Sequence, residues 1–272
     1  MSSTFLVVPQ WQGSGSSRAM RLVDGAEAIR RDLPSAATRQ IEVPLEAGDS
    51  EGTGILRFSS IRLVRERLEG ALAEVDDTPV VIGGDCGVEF AAVERASRAG
   101  RVVLLWADAH ADLNTPASSP SGAYHGMVLR SMIDAGLVDP ADVLMLGVRE
   151  FDDAEADFAA SAGLRSIAPA EVGAAVAERA DAARAAGAHP VLYAHVDLDA
   201  LDPGVFEGVG FPTPFGLALD ELTGAIAAAR AVLPLVGAGL TEFAPAASID
   251  SDDESLGDDL SAILRILAAL TR

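Results

Sequence analysis

"RVVLLWADAHADLN", residues 101–114, decides the fold. Its apolar, partly β-branched opening is too short for an ordinary helix and reads as a buried strand. Asp108, His110 and Asp112 then follow at alternate positions, just past the strand's end. The same design recurs in "FLVV" (5–8), "VVIGG" (80–84), "DVLMLGV" (142–148), "VLYAHVDLD" (191–199) and "LVGAGL" (235–240). Between these runs lie Ala/Leu/Arg/Glu-rich segments such as 59–75, 170–187 and 219–232, whose apolar residues recur at helical spacing. Alternation of strand and helix predicts an α/β fold with a doubly wound parallel sheet. Ligands of such sheets sit beyond the carboxyl ends of the strands, so polar residues that close an apolar run are the first candidates for a site. Four runs close that way: at Asp85-Cys86, at Asp108-Ala109-His110, at Asp197-Leu198-Asp199 and at Thr241-Glu242.

Composition narrows the function. With 272 residues, 49% of them hydrophobic, the chain can bury a large core, and residues 1–272 read as one α/β domain. The 41 acidic residues outnumber 20 basic ones, and a formal charge of -21 opposes nucleic acid and anionic membrane surfaces while favouring metal ions and guanidinium groups. A single cysteine forms no intrachain disulfide, the opening "MSSTFLVVPQWQGSG" lacks a basic segment followed by a long apolar run, and no apolar stretch approaches the roughly 18 residues of a membrane helix. The expectation is a cytoplasmic protein. Clusters at 12–17, 115–122 and 202–216 read as loops within the domain, and there is no internal repeat. The acidic run "DSDDESLGDD" (250–259) precedes apolar "LSAILRILAAL", where carboxylates favour a helix N-terminus.

The strand ends carry the chemistry. A period of two could turn Asp108, His110 and Asp112 the same way, and Asp197 with Asp199 repeats the pattern on another strand. The two groups converge only if those strands are neighbours. Carboxylates with one imidazole suit a divalent first-row ion such as manganese. Several carboxylates in one cavity repel unless cations neutralise them, so two metal ions that make a hydroxide from water are the economical explanation. Each aspartate taken alone would serve equally as a cap or turn residue. Two separate strand ends of this kind favour the metal.

As a set, Gly-Gly-Asp at 83–85, Asp-Ala-His-x-Asp at 108–112, Asp-x-Asp-x-Leu-Asp-Pro at 197–203 and Glu242 with Pro245 resemble the ureohydrolases, the family of arginase and agmatinase. The resemblance implies a three-layer α/β/α fold around a mainly parallel sheet of about eight strands. It implies two divalent metal ions, with manganese expected, one held by Cys86, Asp108, Asp112 and Asp197 and the other by Asp108, His110, Asp197 and Asp199. A hydroxide between them would attack a guanidinium carbon and release urea and an amine. His125 matches the family's proton-shuttling histidine, Glu242 the carboxylate that orients the guanidinium, and Asp112 belongs to the catalytic group. Residues 106–126 look most like arginase, which places Asn114, Ser119 and Ser121 at the carboxylate of an amino-acid substrate, and "GVREFDD" (147–153) similarly resembles the arginase segment that would place Asp152 at its amine. The implied substrate is a small cationic guanidino compound, arginine first, within arginine metabolism. Agmatine, a guanidino acid or a formimino amino acid are the alternatives, and homo-oligomerisation stays open.

Three residues depart from that pattern. Cys86 stands where the family has histidine, and its thiolate suits zinc better than manganese, which leaves the first ion's identity open; a buried structural cysteine is the other reading. His195, two residues before Asp197, shares its face of the strand and could replace the missing imidazole or orient an aspartate as a second-layer donor. Phe211 occupies a position where arginase has a small hydroxyl residue, which reshapes the pocket. His189, just before a strand, reads as surface. Two further functions compete: a one-metal amide hydrolase using Asp108, His110 and Asp199, and a non-catalytic relative that binds a metal or cationic metabolite.

Overall fold

The structure, a computed structural model, describes residues 3–246, 248–249 and 254–272. Eight strands form one sheet: β1 (Ser3–Val8), β2 (Thr38–Gln40), β3 (Thr78–Gly83), β4 (Arg101–Ala107), β5 (Val143–Leu146), β6 (Ser166–Ile167), β7 (Pro190–Asp197) and β8 (Leu235–Thr241). Their order is β2-β1-β3-β8-β7-β4-β5-β6, and every pairing is parallel. The helices are α1 (Arg21–Asp32), α2 (Phe58–Ala73), α3 (Glu89–Ala99), α4 (Val128–Asp134), α5 (Asp153–Ala162), α6 (Val172–Ala185), α7 (Leu219–Val232) and α8 (Glu254–Thr271).

Strand alternation splits the core in two. Phe5, Val7, Val103 and Leu105 face one apolar cluster with α1, α6, α7 and α8, whereas Leu6, Val8, Leu104 and Trp106 face another with α2, α3 and α4. This is the three-layer arrangement expected. All six apolar runs lie on strands, and the three helical segments correspond to α2, α6 and α7. The unforeseen strands are β2 and β6, three and two residues long at the two edges of the sheet. Of the acidic run, residues 250–253 lie outside the described residues, while Glu254 sits in the first turn of α8.

Topology also sets the site. The four polar strand ends belong to β3, β8, β7 and β4, which are consecutive in the centre of the sheet. In β4 and β7, Trp106 pairs with His195 and Ala107 with Val196, so the Asp108 and Asp197 groups leave the sheet side by side. After β3 the chain passes so close to the loop after β1 that a Cβ on Gly84 would lie 1.7 Å from the Gln10 carbonyl oxygen. Only glycine fits there. Asp85 then ties the two loops, accepting from Gln10 Nε2 and from the amides of Gly13 and Gly87, each at 2.9 Å.

Candidate active site

Three aspartates are fixed by backbone amides, Asp108 and Asp197 by the turn that each one opens and Asp199 by the neighbouring strand end. Asp108 Oδ1 accepts from the His110 amide (2.7 Å), Asp197 Oδ1 from the Asp199 amide (2.8 Å) and Asp199 Oδ1 from the Ala109 amide (3.0 Å). The turn-forming property of aspartate therefore operates here, and it orients a carboxylate while leaving the second oxygen for other work. Asp199 Oδ2 lies 3.0 Å from His110 Nδ1, and Asp197 Oδ2 accepts from the Cys86 thiol at 3.1 Å. Asp108 stands between two imidazoles, with Oδ1 3.6 Å from His110 Nδ1 and Oδ2 3.7 Å from His195 Nε2.

Among the described residues, three donor groups form within this cluster: Asp108, His110 and Asp199; Cys86, Asp108 and His195; and Cys86, Asp197 and Glu242. Asp112 stands in none of them. The strand has ended at Ala107, and Asp112 adopts a left-handed backbone (φ 53°), so the period of two expected from the sequence does not reach it. Its carboxylate is buried near the others, with Oδ2 lacking a hydrogen-bond partner. Glu242 is also left-handed (φ 65°), and its Oε1 faces the Cys86 amide at 3.3 Å and His125 Nδ1 at 3.5 Å. Strained backbone at two buried carboxylates of one cluster is typical of functional sites.

The electrostatics favour added positive charge. Burial, reinforced by Asp199 and Asp108, pushes Asp197 well above the usual carboxylate range; burial and Asp108 do the same to Asp112 and, less far, to Asp199. Burial also acts on Asp108, but the two flanking imidazoles outweigh it and lower its pKa. His110 is pushed up to about 12, because Asp108 and Asp199 overcome the opposing effect of burial. Burial and the neighbouring Asp197 push the Cys86 thiol up. Asp108 Oδ2 is buried without a hydrogen-bond partner. Mutually repelling carboxylates with vacant oxygens beside imidazoles are a donor set that fits divalent cations.

A cavity of about 280 Å³ opens onto the cluster and brings together most of the remaining candidates: His110, Asp112, Asn114, Ser119, Ser121, His125, Asp152 and Phe211. Asn114 Nδ2 donates to Asp152 Oδ2 at 2.8 Å, and the Ser119 and Ser121 hydroxyls are 3.4 Å apart. Phe211 stacks on His125 (5.3 Å between centroids) and meets His110 edge-on, which narrows the mouth. Burial opposes and Glu242 favours the charged form of His125, with a net rise in its pKa. His189 is exposed, as expected.

Sequence reasoning missed several contributors. Glu150 and Glu155 join the cavity wall, Gly15 brings its amide to 3.4 Å from His125 Nε2, Glu89 and Trp106 flank His195, and the Tyr193 hydroxyl donates to Glu89. Only Glu150 and Glu155 carried a signal, as acidic neighbours of Asp152.

A parallel three-layer fold with carboxylate and imidazole groups that could hold a metal ion gathered at its central strand ends, beside an acidic cavity, defines the class of α/β protein. The arginase family model matches residues 14–263. An arginase of Bacillus caldovelox is 31% identical over 240 residues, 75% of this chain and 75% of its own length. Proclavaminate amidinohydrolase of Streptomyces clavuligerus is 30% identical over 205 residues, 74% of this chain and 64% of that one. The crystal structure of Entamoeba histolytica arginase in complex with L-ornithine shares the fold, with a TM-score of 0.80 at 20% identity over 98% of this chain and 97% of that one. The chain belongs to the arginase family, and it is a ureohydrolase enzyme.

Proposed function

We propose that the protein hydrolyses arginine to urea and ornithine with two divalent ions. The observation that carries this reading is the position of Asp108, whose two carboxylate oxygens face two different donor groups beside the cavity. One ion would be held by Asp108, His110 and Asp199, the other from the side of Cys86 and Asp197, with Asp112 nearby. When bound, such a pair neutralises the carboxylates and makes water nucleophilic at neutral pH.

The chain's own residues do the rest. Glu242, buried and fixed beside the Cys86 amide, accepts N–H groups of the guanidinium and turns its carbon toward the cluster. His125, 3.5 Å from Glu242 and on the cavity wall, donates the proton that the departing amine nitrogen needs. Asn114, Ser119 and Ser121 hold the substrate carboxylate, and Asp152 the α-amine. The acidic wall and the formal charge of -21 favour a cationic substrate.

The test is urea release from arginine, agmatine, a guanidino acid and a formimino amino acid by the metal-loaded protein. A preference for arginine is expected. Equal or faster turnover of agmatine overturns the assignment of substrate.

A further inference from the structure

We infer that the first ion of this site is held by the Cys86 thiolate, the His195 imidazole and Asp108, a sulfur–nitrogen–oxygen set that selects a zinc-class ion over manganese. The inference rests on the two-ion reading and specifies one half of it.

His195 is built as a ligand is built. Its ring lies flat on Trp106, 3.7 Å between centroids and 22° between planes, inside a fully buried environment. Nδ1 lies 3.5 Å from Glu89 Oε2, and that same oxygen accepts from the Tyr193 hydroxyl at 2.8 Å. Room for the buried Glu89 exists because residue 239 is glycine: a Cβ there would come within 1.8 Å of Glu89 Oε1. Nδ1 makes no hydrogen bond, yet the Glu89 carboxylate stands on its side of the ring, where a carboxylate commonly backs a metal-bound histidine and where closing from 3.5 Å would supply that bond.

The other nitrogen points at the cluster. Nε2 lies 3.9 Å from Cys86 Sγ and 3.7 Å from Asp108 Oδ2, an oxygen with no hydrogen-bond partner. Tetrahedral zinc bonded at ordinary distances would set sulfur and nitrogen about 3.6 Å apart, and nitrogen and oxygen about 3.3 Å apart. The two distances from Nε2 are thus within roughly 0.4 Å of the edges such an ion requires, and all three donor atoms lie within 4.8 Å of one another. Thiolate and imidazole together favour zinc or cobalt(II), whereas manganese prefers oxygen-rich sites. The role of the nitrogen donor is met by β7 instead of the turn after β3, where cysteine supplies sulfur.

Cobalt(II) titration of the full-length apoprotein reads the site without turnover, through the near-ultraviolet sulfur-to-cobalt charge-transfer band. Two cobalt ions per chain are expected, one of them giving the band. Cys86→Ser should abolish the band and keep one ion. Glu89→Gln should keep the band but shift its titration to about 10- to 100-fold higher cobalt, the usual cost of losing the partner behind a ligating histidine. Should the buried variants fail to fold, X-ray absorption on zinc-loaded wild type decides, with one sulfur and two imidazoles shared between two ions expected. Two bound ions with no sulfur or a single imidazole, one bound ion only, or a Glu89→Gln titration identical to wild type, each overturns the inference. Urea release that persists in such a protein leaves the hydrolytic reading standing, while loss of urea release in fully loaded wild type removes that reading instead.

Discussion

Replacing Arg149 by alanine should destabilise the protein and loosen an ion held by Asp199. Its guanidinium donates to the carbonyls of Thr213 (2.6 Å), Gly147 and Asp199 (2.9 Å each) and Pro214 (3.0 Å), with longer contacts to Ala200 and Leu201 at 3.4 Å. One side chain thus ties the turn that presents Asp199 to the segment just after Phe211. A charge-assisted hydrogen bond contributes about 1.5–3 kcal/mol where water is excluded, and nearer 1 kcal/mol where it can step in. Arg149 is half-buried, so the lower figure applies and the four short bonds together give about 4 kcal/mol. Denaturant unfolding should show a lower midpoint at unchanged slope, and calorimetry a weaker ion at the Asp108, His110 and Asp199 group. Lysine, with three donors and no planar fork, should recover less than half of the loss. A stability change under about 0.5 kcal/mol, the scatter of an ordinary surface substitution, with unchanged metal affinity would refute the coupling.

His125→Ala should keep its metal content and lose about 100- to 10,000-fold in kcat, the range for a removed general acid or base; atomic absorption beside urea release checks both halves. Asn114 and Asp152 share a hydrogen bond, so their alanine substitutions should be non-additive in kcat/KM for arginine, with a coupling of about 1 kcal/mol in a double-mutant cycle. Burial pushes the Asp259 carboxyl up to about 6, so its ionised form is disfavoured in the fold and stability falls as pH rises from about 4 through 6. Asp259→Asn, which can still accept from the Glu207 amide, should therefore unfold at a higher temperature than wild type at pH 8, with the gap closing toward pH 4.

The central strands were legible because each is an apolar run with a polar terminus. Asp108 and Asp197 sit one residue past a strand and on its last residue, so their convergence followed once β4 and β7 proved to be neighbours. The edge strands β2 ("TRQ") and β6 ("SI") have no periodicity to read, because pairing with β1 and β5 creates them. Asp112 and Glu242 were legible as residues and not as geometry: a left-handed backbone is imposed by the surrounding turns, and neither is glycine or asparagine. Glu89 stayed hidden for a different reason. It opens a helix, where a glutamate is ordinary, and its role depends on a glycine 150 residues away on β8 and on His195 on β7.

Adding a divalent ion stepwise to the apoprotein while following urea release from arginine tests two-ion hydrolysis most directly. Activity should climb until two equivalents per chain are bound and stay level thereafter. A plateau at one equivalent, or no urea at full occupancy, would contradict it.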